Sequence, residues 1–112
     1  RIKSIKNNYF KIQGTGNEIR SFIYIEDFLR AFNLIINKGK HLNVYNIGTS
    51  EKIKISKLAK MISKIIGKSI KFKKTKVLKG SPSVRCPNIK KIKKLGFKQK
   101  IRLKDGIKKI IK

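Results

Sequence analysis

Two apolar stripes at helical spacing limit what this chain can fold into, because each is closed by a glycine and approached through a strand-like run. Phe28, Ala31, Phe32, Ile35 and Ile36 recur at positions that share one helix face, and Gly39 lies just past them. Leu58, Met61, Ile62, Ile65 and Ile66 repeat the pattern, with Gly67 as the left-handed stop. Asp27 and Ser56 stand where N-caps belong. Strand signals lie between and before these helices: Phe10–Gln13, the β-branched and aromatic run Arg20–Ile25, Asn43–Ile47 as a buried strand, the short Lys52–Ile55, and Ile70–Lys73. Residues 74–87 hold Gly80, Pro82 and Pro87 and read as loop. Asn88 caps a short helix, Ile89–Leu95, that stops at Gly96, and the segment from Leu103 onward is helical by its Ile107, Ile110 and Ile111. The order gives a small mixed α/β fold and does not supply the repeated βαβ units of a full doubly wound sheet.

With 112 residues the chain makes one small domain, 1–112, with a modest core. It starts on Arg1 and closes on Lys112 inside a helical pattern, so it reads as a piece of a longer protein. The net charge of +26 first suggests a polyanion as partner. The 26 lysines, however, greatly outnumber the 5 arginines and are spread over every segment, alongside 21 isoleucines and 8 asparagines. That trio is what A+T-rich codons over-produce, so most of the charge reads as solvated faces and not as one nucleic-acid-binding surface. No apolar run approaches the roughly 18 residues of a membrane span, and no signal-peptide core is visible. The single cysteine, Cys86, excludes an internal disulfide and fits a reducing, cytoplasmic setting.

Several chemistries are excluded by what is missing. Gly14-Thr15-Gly16 is the one G-x-G, and the stretch after it reads as strand, so no helix N-terminus stands ready for a dinucleotide pyrophosphate. None of Tyr9, Tyr24 and Tyr45 has a lysine four residues later, which removes the Tyr-x-x-x-Lys acid–base pair. One Cys, one His (His41) and five scattered carboxylates assemble neither a metal site nor a nucleophile–His–acid triad.

Three segments carry positive information: Gly14–Asp27 (GTGNEIRSFIYIED), Val44–Ser50 (VYNIGTS), and Gly80–Phe97 (GSPSVRCPNIKKIKKLGF) followed by IRLKDGIKKII. In order and spacing they resemble the C-terminal third of the extended short-chain dehydrogenase/reductase family, which includes sugar-nucleotide epimerases, 4,6-dehydratases and decarboxylases. The resemblance runs from about Phe10 to Ile111. It departs from the family pattern at Asn88 for the usual Asp, at Phe97 for the usual Trp, and at Arg102, where a Ser would cap the last helix.

The resemblance implies a C-terminal substrate-binding region whose N-terminal Rossmann domain, with NAD and the catalytic residues, is absent from these residues. It implies a nucleoside diphosphate sugar as ligand, oxidised and reduced through NAD in work such as cell-surface polysaccharide synthesis, and an intact enzyme that is a homodimer. No specific nucleic acid and no membrane partner is implied. Arg20 matches the arginine that reaches the diphosphate, where a guanidinium can make two parallel hydrogen bonds. The alternative for Arg20 is a strand-end pair with Glu18 or Glu26. Arg85 matches a second phosphate contact, with Lys79 as rival and a solvated loop charge as the plain reading. Ile12 and Gln13 match a strand that lines the nucleobase, and a purely structural strand is the alternative. From a different class, the competing function is a small basic protein that binds nucleic acid without catalysis.

Overall fold

A computed structural model describes residues 9–111. Its elements, in chain order, are β1 (Tyr9–Ile12), β2 (Ile19–Ser21), α1 (Ile25–Lys38), β3 (Lys52–Lys54), α2 (Ile55–Ile66), β4 (Lys71–Lys74), β5 (Val84–Arg85), α3 (Lys90–Lys94) and α4 (Leu103–Ile110). The mixed α/β class is as expected. The strands form two small sheets: β1 pairs with β4 in parallel, while β2 sits between antiparallel β3 and parallel β5. In the first sheet Phe10 registers with Phe72, and their rings meet edge to face at 6.3 Å.

A buried apolar cluster lies between α1 and the α3 region. Ala31, Ile89, Ile92 and Phe97 are buried there, with Ile23, Leu34, Ile35, Ile47 and Leu95 packed around them. It is small, and much apolar surface stays in water. The outer face of α1 leaves Ile25, Phe28, Leu29, Phe32 and Ile36 exposed, Ile36 by 65%. The rings of Phe28 and Phe32 stack nearly parallel on that face. A helix apolar on two sides has covered only one of them.

Several elements differ from the sequence expectation, and the reasons are tertiary. The β2 strand ends at Ser21, so Phe22 and Ile23 run as irregular chain and α1 starts earlier, at Ile25. Asp27 therefore sits in the first turn and does not cap the helix; Tyr24 holds the N-cap position with no side-chain bond. The Asp27 carboxylate is fully buried and is taken by the backbone N–H groups of Lys100 and Ile101, at 3.1 and 2.9 Å, and by an ion pair with Arg30. Ser56 is not a cap either, because β3 runs directly into α2 and Lys54 holds the N-cap position. The orphan N–H groups at the start of α2 go instead to the segment before β2: Ile55 N–H to Glu18 O at 3.0 Å and Ser56 N–H to Gly16 O at 2.9 Å.

The segment 43–47 is not a strand and is not buried. It pairs with no strand among the described residues, and Val44 is 76% exposed. β-propensity needs a neighbouring strand to act on, and among the described residues none pairs with this segment. The 74–87 loop contains the short strand β5, which the pattern did not reveal. The short helix starts one residue later than expected, at Lys90, with Ile89 in the N-cap position and no side-chain cap; Asn88, just before it, has its Oδ1 accepting the Lys90 N–H at 3.1 Å. Gly67 closes α2 in the left-handed conformation, φ 68°, as its position implied.

Candidate functional site

The site is built around the turn between β1 and β2. Gly14 and Gly16 have φ of 107° and 87°, a region open to glycine at little cost. This backbone turns the N–H groups of residues 15 and 16 inward onto one carboxylate. Glu18 Oε1 accepts the Thr15 N–H at 2.9 Å and the Thr15 hydroxyl at 3.2 Å, and Oε2 accepts the Gly16 N–H at 2.9 Å. Glu18 is only 7% exposed. The Thr15 amide, ahead of the other donors, holds its carboxyl below the ordinary carboxylate value; desolvation opposes this and is outweighed. On the β1 side, Thr75 fastens the turn. Its hydroxyl donates to Ile12 O at 2.8 Å and accepts the Gly14 N–H at 3.1 Å.

Beside this turn lies a cavity of about 420 Å³. Ile12, Gln13, Gly14, Glu18 and Arg20 form one wall. Ile55, Leu58, Ala59 and Ile62 of α2 form another, and Val77, Leu78 and Ser81 close it from the loop. Three of the four sequence-predicted site residues, Ile12, Gln13 and Arg20, thus share one cavity. Ile12 is buried with its carbonyl engaged by Thr75, so of these two neighbours the exposed Gln13 is the one that offers the cavity a polar side chain.

Arg20 is half-buried and makes no ion pair among the described residues. Its Nη1 donates to the neighbouring Ile19 O at 2.9 Å, and Nη2 reaches Ser81 Oγ at 3.4 Å. The alternative of a pair with Glu18 or Glu26 is not what the structure contains. Arg20 also borders a second cavity of about 590 Å³, walled by Phe22, Ile47, Val84, Arg85, Cys86 and Pro87 among others. Arg85 belongs to this second cavity alone and is exposed. Its register matters more than its burial. Arg20 and Arg85 are direct partners across the parallel β2–β5 pair, so both guanidiniums leave the same side of the sheet. Lys79, the rival to Arg85, lines neither cavity.

Sequence reasoning missed three parts of this site. Ser81 is the side chain that meets Arg20, and nothing in the spacing links positions 61 apart. Leu58 and Ile62 were legible as an apolar stripe, but that they line a cavity comes only from the packing. Glu18 was visible as a charge near a turn, yet its engagement with the turn's own amides depends on the two positive-φ glycines.

Arg20, Gln13 and Ser81 give the arrangement hydrogen-bond donors suited to an anion, while its carboxylate, Glu18, is already engaged by the turn amides. Among the described residues, no cluster of three His, Cys, Asp or Glu could hold a metal ion. The G-x-G turn does not fit a dinucleotide, because Glu18 already takes its amides and a strand comes after it in place of a helix. No described helix is long and apolar enough to cross a membrane.

Residues 1–48 match the family model described as the NAD dependent epimerase/dehydratase family. The chain is 33% identical over 102 residues to a trifunctional UDP-glucose 4,6-dehydratase/UDP-4-keto-6-deoxy-D-glucose 3,5-epimerase/UDP-4-keto-L-rhamnose-reductase of Arabidopsis thaliana, covering 88% of this chain and 15% of the plant protein. The fold matches the UDP-glucose 4-epimerase of Thermotoga maritima, solved with UDP-glucose, at a TM-score of 0.82 and 30% identity, over 89% of this chain and 32% of that one. It also matches the UDP-glucuronic acid 4-epimerase of Bacillus cereus, solved with UDP-glucuronic acid and NAD, at a TM-score of 0.78 and 31% identity, over 87% and 32%. The chain thus spans a third or less of the length of these proteins. The ordered motifs, the family model and the shared fold agree: this chain belongs to the NAD-dependent epimerase/dehydratase family.

Proposed function

We propose that this chain is the nucleoside-diphosphate-sugar-binding region of such an enzyme, with NAD and the reacting groups held by residues outside it. One observation carries the reading. An arginine with no carboxylate partner among the described residues stands between two cavities, one walled by apolar side chains and Gln13, the other bordered by a second arginine in register with it. A nucleoside diphosphate sugar has the matching parts: a flat base, a diphosphate and a hydroxylated ring. The base fits beside Phe10, Ile12 and Gln13, across from Val77 and Leu78. The diphosphate fits at Arg20 and Arg85, where charge-assisted forked hydrogen bonds are strongest. The solved relatives bind UDP-glucose and UDP-glucuronic acid, which supports this class of ligand.

These residues position and do not transform. The chain has no Tyr-x-x-x-Lys pair and no dinucleotide turn, so the chemistry of epimerisation or dehydration belongs to groups supplied elsewhere. The nucleic-acid reading gains nothing from the relatives. Calorimetric titration with UDP-glucose and with random duplex DNA separates the two. Saturable UDP-glucose binding that Arg20→Ala weakens supports the proposal. Binding to DNA alone, with a steep salt dependence, overturns it.

A further inference from the structure

We propose that Glu18 is a positioning residue, one that holds the Arg20 guanidinium available for ligand by committing its own carboxylate to the 14–17 turn. The inference rests on the reading of Arg20 as the diphosphate contact. Glu18 immediately precedes β2, and Arg20, two residues on, is the second residue of that strand. Both line the same cavity, and no other charged residue among those described does. Opposite charges so placed would pair with each other, and the pair would compete with any anion for the guanidinium.

The structure avoids that pairing. Both Glu18 oxygens are bound to the Thr15 and Gly16 amides, with the Thr15 hydroxyl as a third donor. A Cβ on Gly14 would collide with Glu18 Oε1, so the close approach of carboxylate to turn needs glycine there. Arg20 faces away, toward Ile19 O and Ser81. The carboxylate nearest to Arg20 in sequence is therefore spent on the backbone. The same bonds shape the wall that presents Gln13 and Gly14 to the cavity.

The test is a pH titration by NMR of the 112-residue chain, monitoring the Glu18 side-chain carboxyl carbon, the Thr15 and Gly16 amides and the Arg20 Nε–H. In the parent the two amides should shift with Glu18, and the Arg20 Nε–H should not. Thr15→Pro removes both the amide and the hydroxyl, and Arg20 should then track Glu18. An Arg20 signal that tracks Glu18 in the parent, or ignores it in Thr15→Pro, overturns the proposal; the parent titration decides alone if Thr15→Pro does not fold. Binding of UDP supplies a second readout. Thr15→Pro should weaken it about fivefold, the effect of a competing pair of ~1 kcal/mol, and Thr15→Pro/Glu18→Gln should recover it. A merely structural turn would leave the double variant as weak as the single. If neither the parent nor Arg20→Ala binds UDP, the ligand reading fails, while the titration still decides the role of Glu18.

Discussion

Glu51 Oε1 accepts the backbone N–H of Leu103 at 2.8 Å, across 52 residues of chain, and so supplies from outside the cap that α4 lacks. Arg102 occupies the N-cap position with extended backbone and no side-chain bond. An arginine has no acceptor to offer there, so one of the orphan amides of α4 is satisfied by a carboxylate from the segment before β3. Glu51→Ala should therefore lower stability by about 1 kcal/mol, as loss of a cap does. Arg102→Ser in that background should restore much of the loss by providing a local cap. Urea midpoints of the three chains check this; no rescue by Arg102→Ser would mean that Glu51 acts otherwise than as a cap.

The same substitution of tertiary for local contacts separates what the sequence made legible from what it did not. Gly67 and Gly96 were readable as helix stops because a positive φ next to a helix end is a local demand. Helix starts were misread at Asp27 and Ser56, both good capping residues by type. Their partners lie far along the chain: Lys100 and Ile101 for the Asp27 carboxylate, Gly16 for the Ser56 amide. The strand-like run 43–47 was misread because composition reports fitness for a sheet and says nothing of whether a sheet is there. In the candidate site, Arg20 was singled out by its match to the family motif. The register that sets Arg85 beside it spans 65 residues and was not legible.

Asp27 should be among the costliest positions to truncate. Its carboxylate is fully buried and serves two amides and Arg30. Asp27→Ala strands those donors and leaves a half-buried cation without its partner, at a cost of about 3 kcal/mol or more. With so small a buried cluster and so much exposed apolar surface, that is a large share of the stability such a chain can have. Loss of the cooperative thermal transition in Asp27→Ala is the expected result. An unchanged midpoint would show that the 98–102 segment is held by other contacts.

Glu18 should give the chain a distinctive acid limb. Its carboxyl is held below the ordinary value in the folded state, chiefly by the Thr15 amide. A depressed carboxylate stabilises the fold at pH values above its unfolded pKa, and that contribution is lost as pH falls through the lower, folded value. Glu18→Gln should therefore be less stable than the parent at neutral pH, and the gap should close as the medium is acidified below the usual carboxylate range. Denaturant midpoints measured stepwise from neutral to strongly acidic conditions test this. A gap that stays constant would separate the turn's stability from the charge on Glu18.

The 112 residues alone should not turn over a sugar nucleotide. No Tyr-x-x-x-Lys pair is present, and the turn that carries G-x-G is occupied by Glu18. Incubation with NAD and UDP-glucose should leave the sugar nucleotide unchanged by chromatography. Formation of an epimer or a keto-sugar would place catalytic groups within this chain and defeat the division of labour proposed for it.

Arg20 and Arg85 should act on ligand as a coupled but unequal pair. Register places them side by side on parallel strands, but their surroundings differ. Arg20 is half-buried and borders both cavities, while Arg85 is exposed and borders one. A contact sheltered from water is worth more than one screened by it. Arg20→Ala should then weaken UDP-glucose binding by roughly 10- to 150-fold, the equivalent of about 1.5–3 kcal/mol for a charge-assisted contact. Arg85→Ala should cost about fivefold or less. Arg20→Lys should recover only part of the loss, since an ammonium keeps the charge without the fork. If both guanidiniums hold one diphosphate, their effects cannot be independent. A double-mutant cycle should then give a coupling of about 0.5 kcal/mol or more, whereas groups reaching separate parts of the ligand would add. Calorimetry on the parent, both single variants and the double variant measures this directly. Strict additivity would mean that the two arginines do not share a diphosphate, and Arg85 would revert to a solvated charge at the end of a short strand.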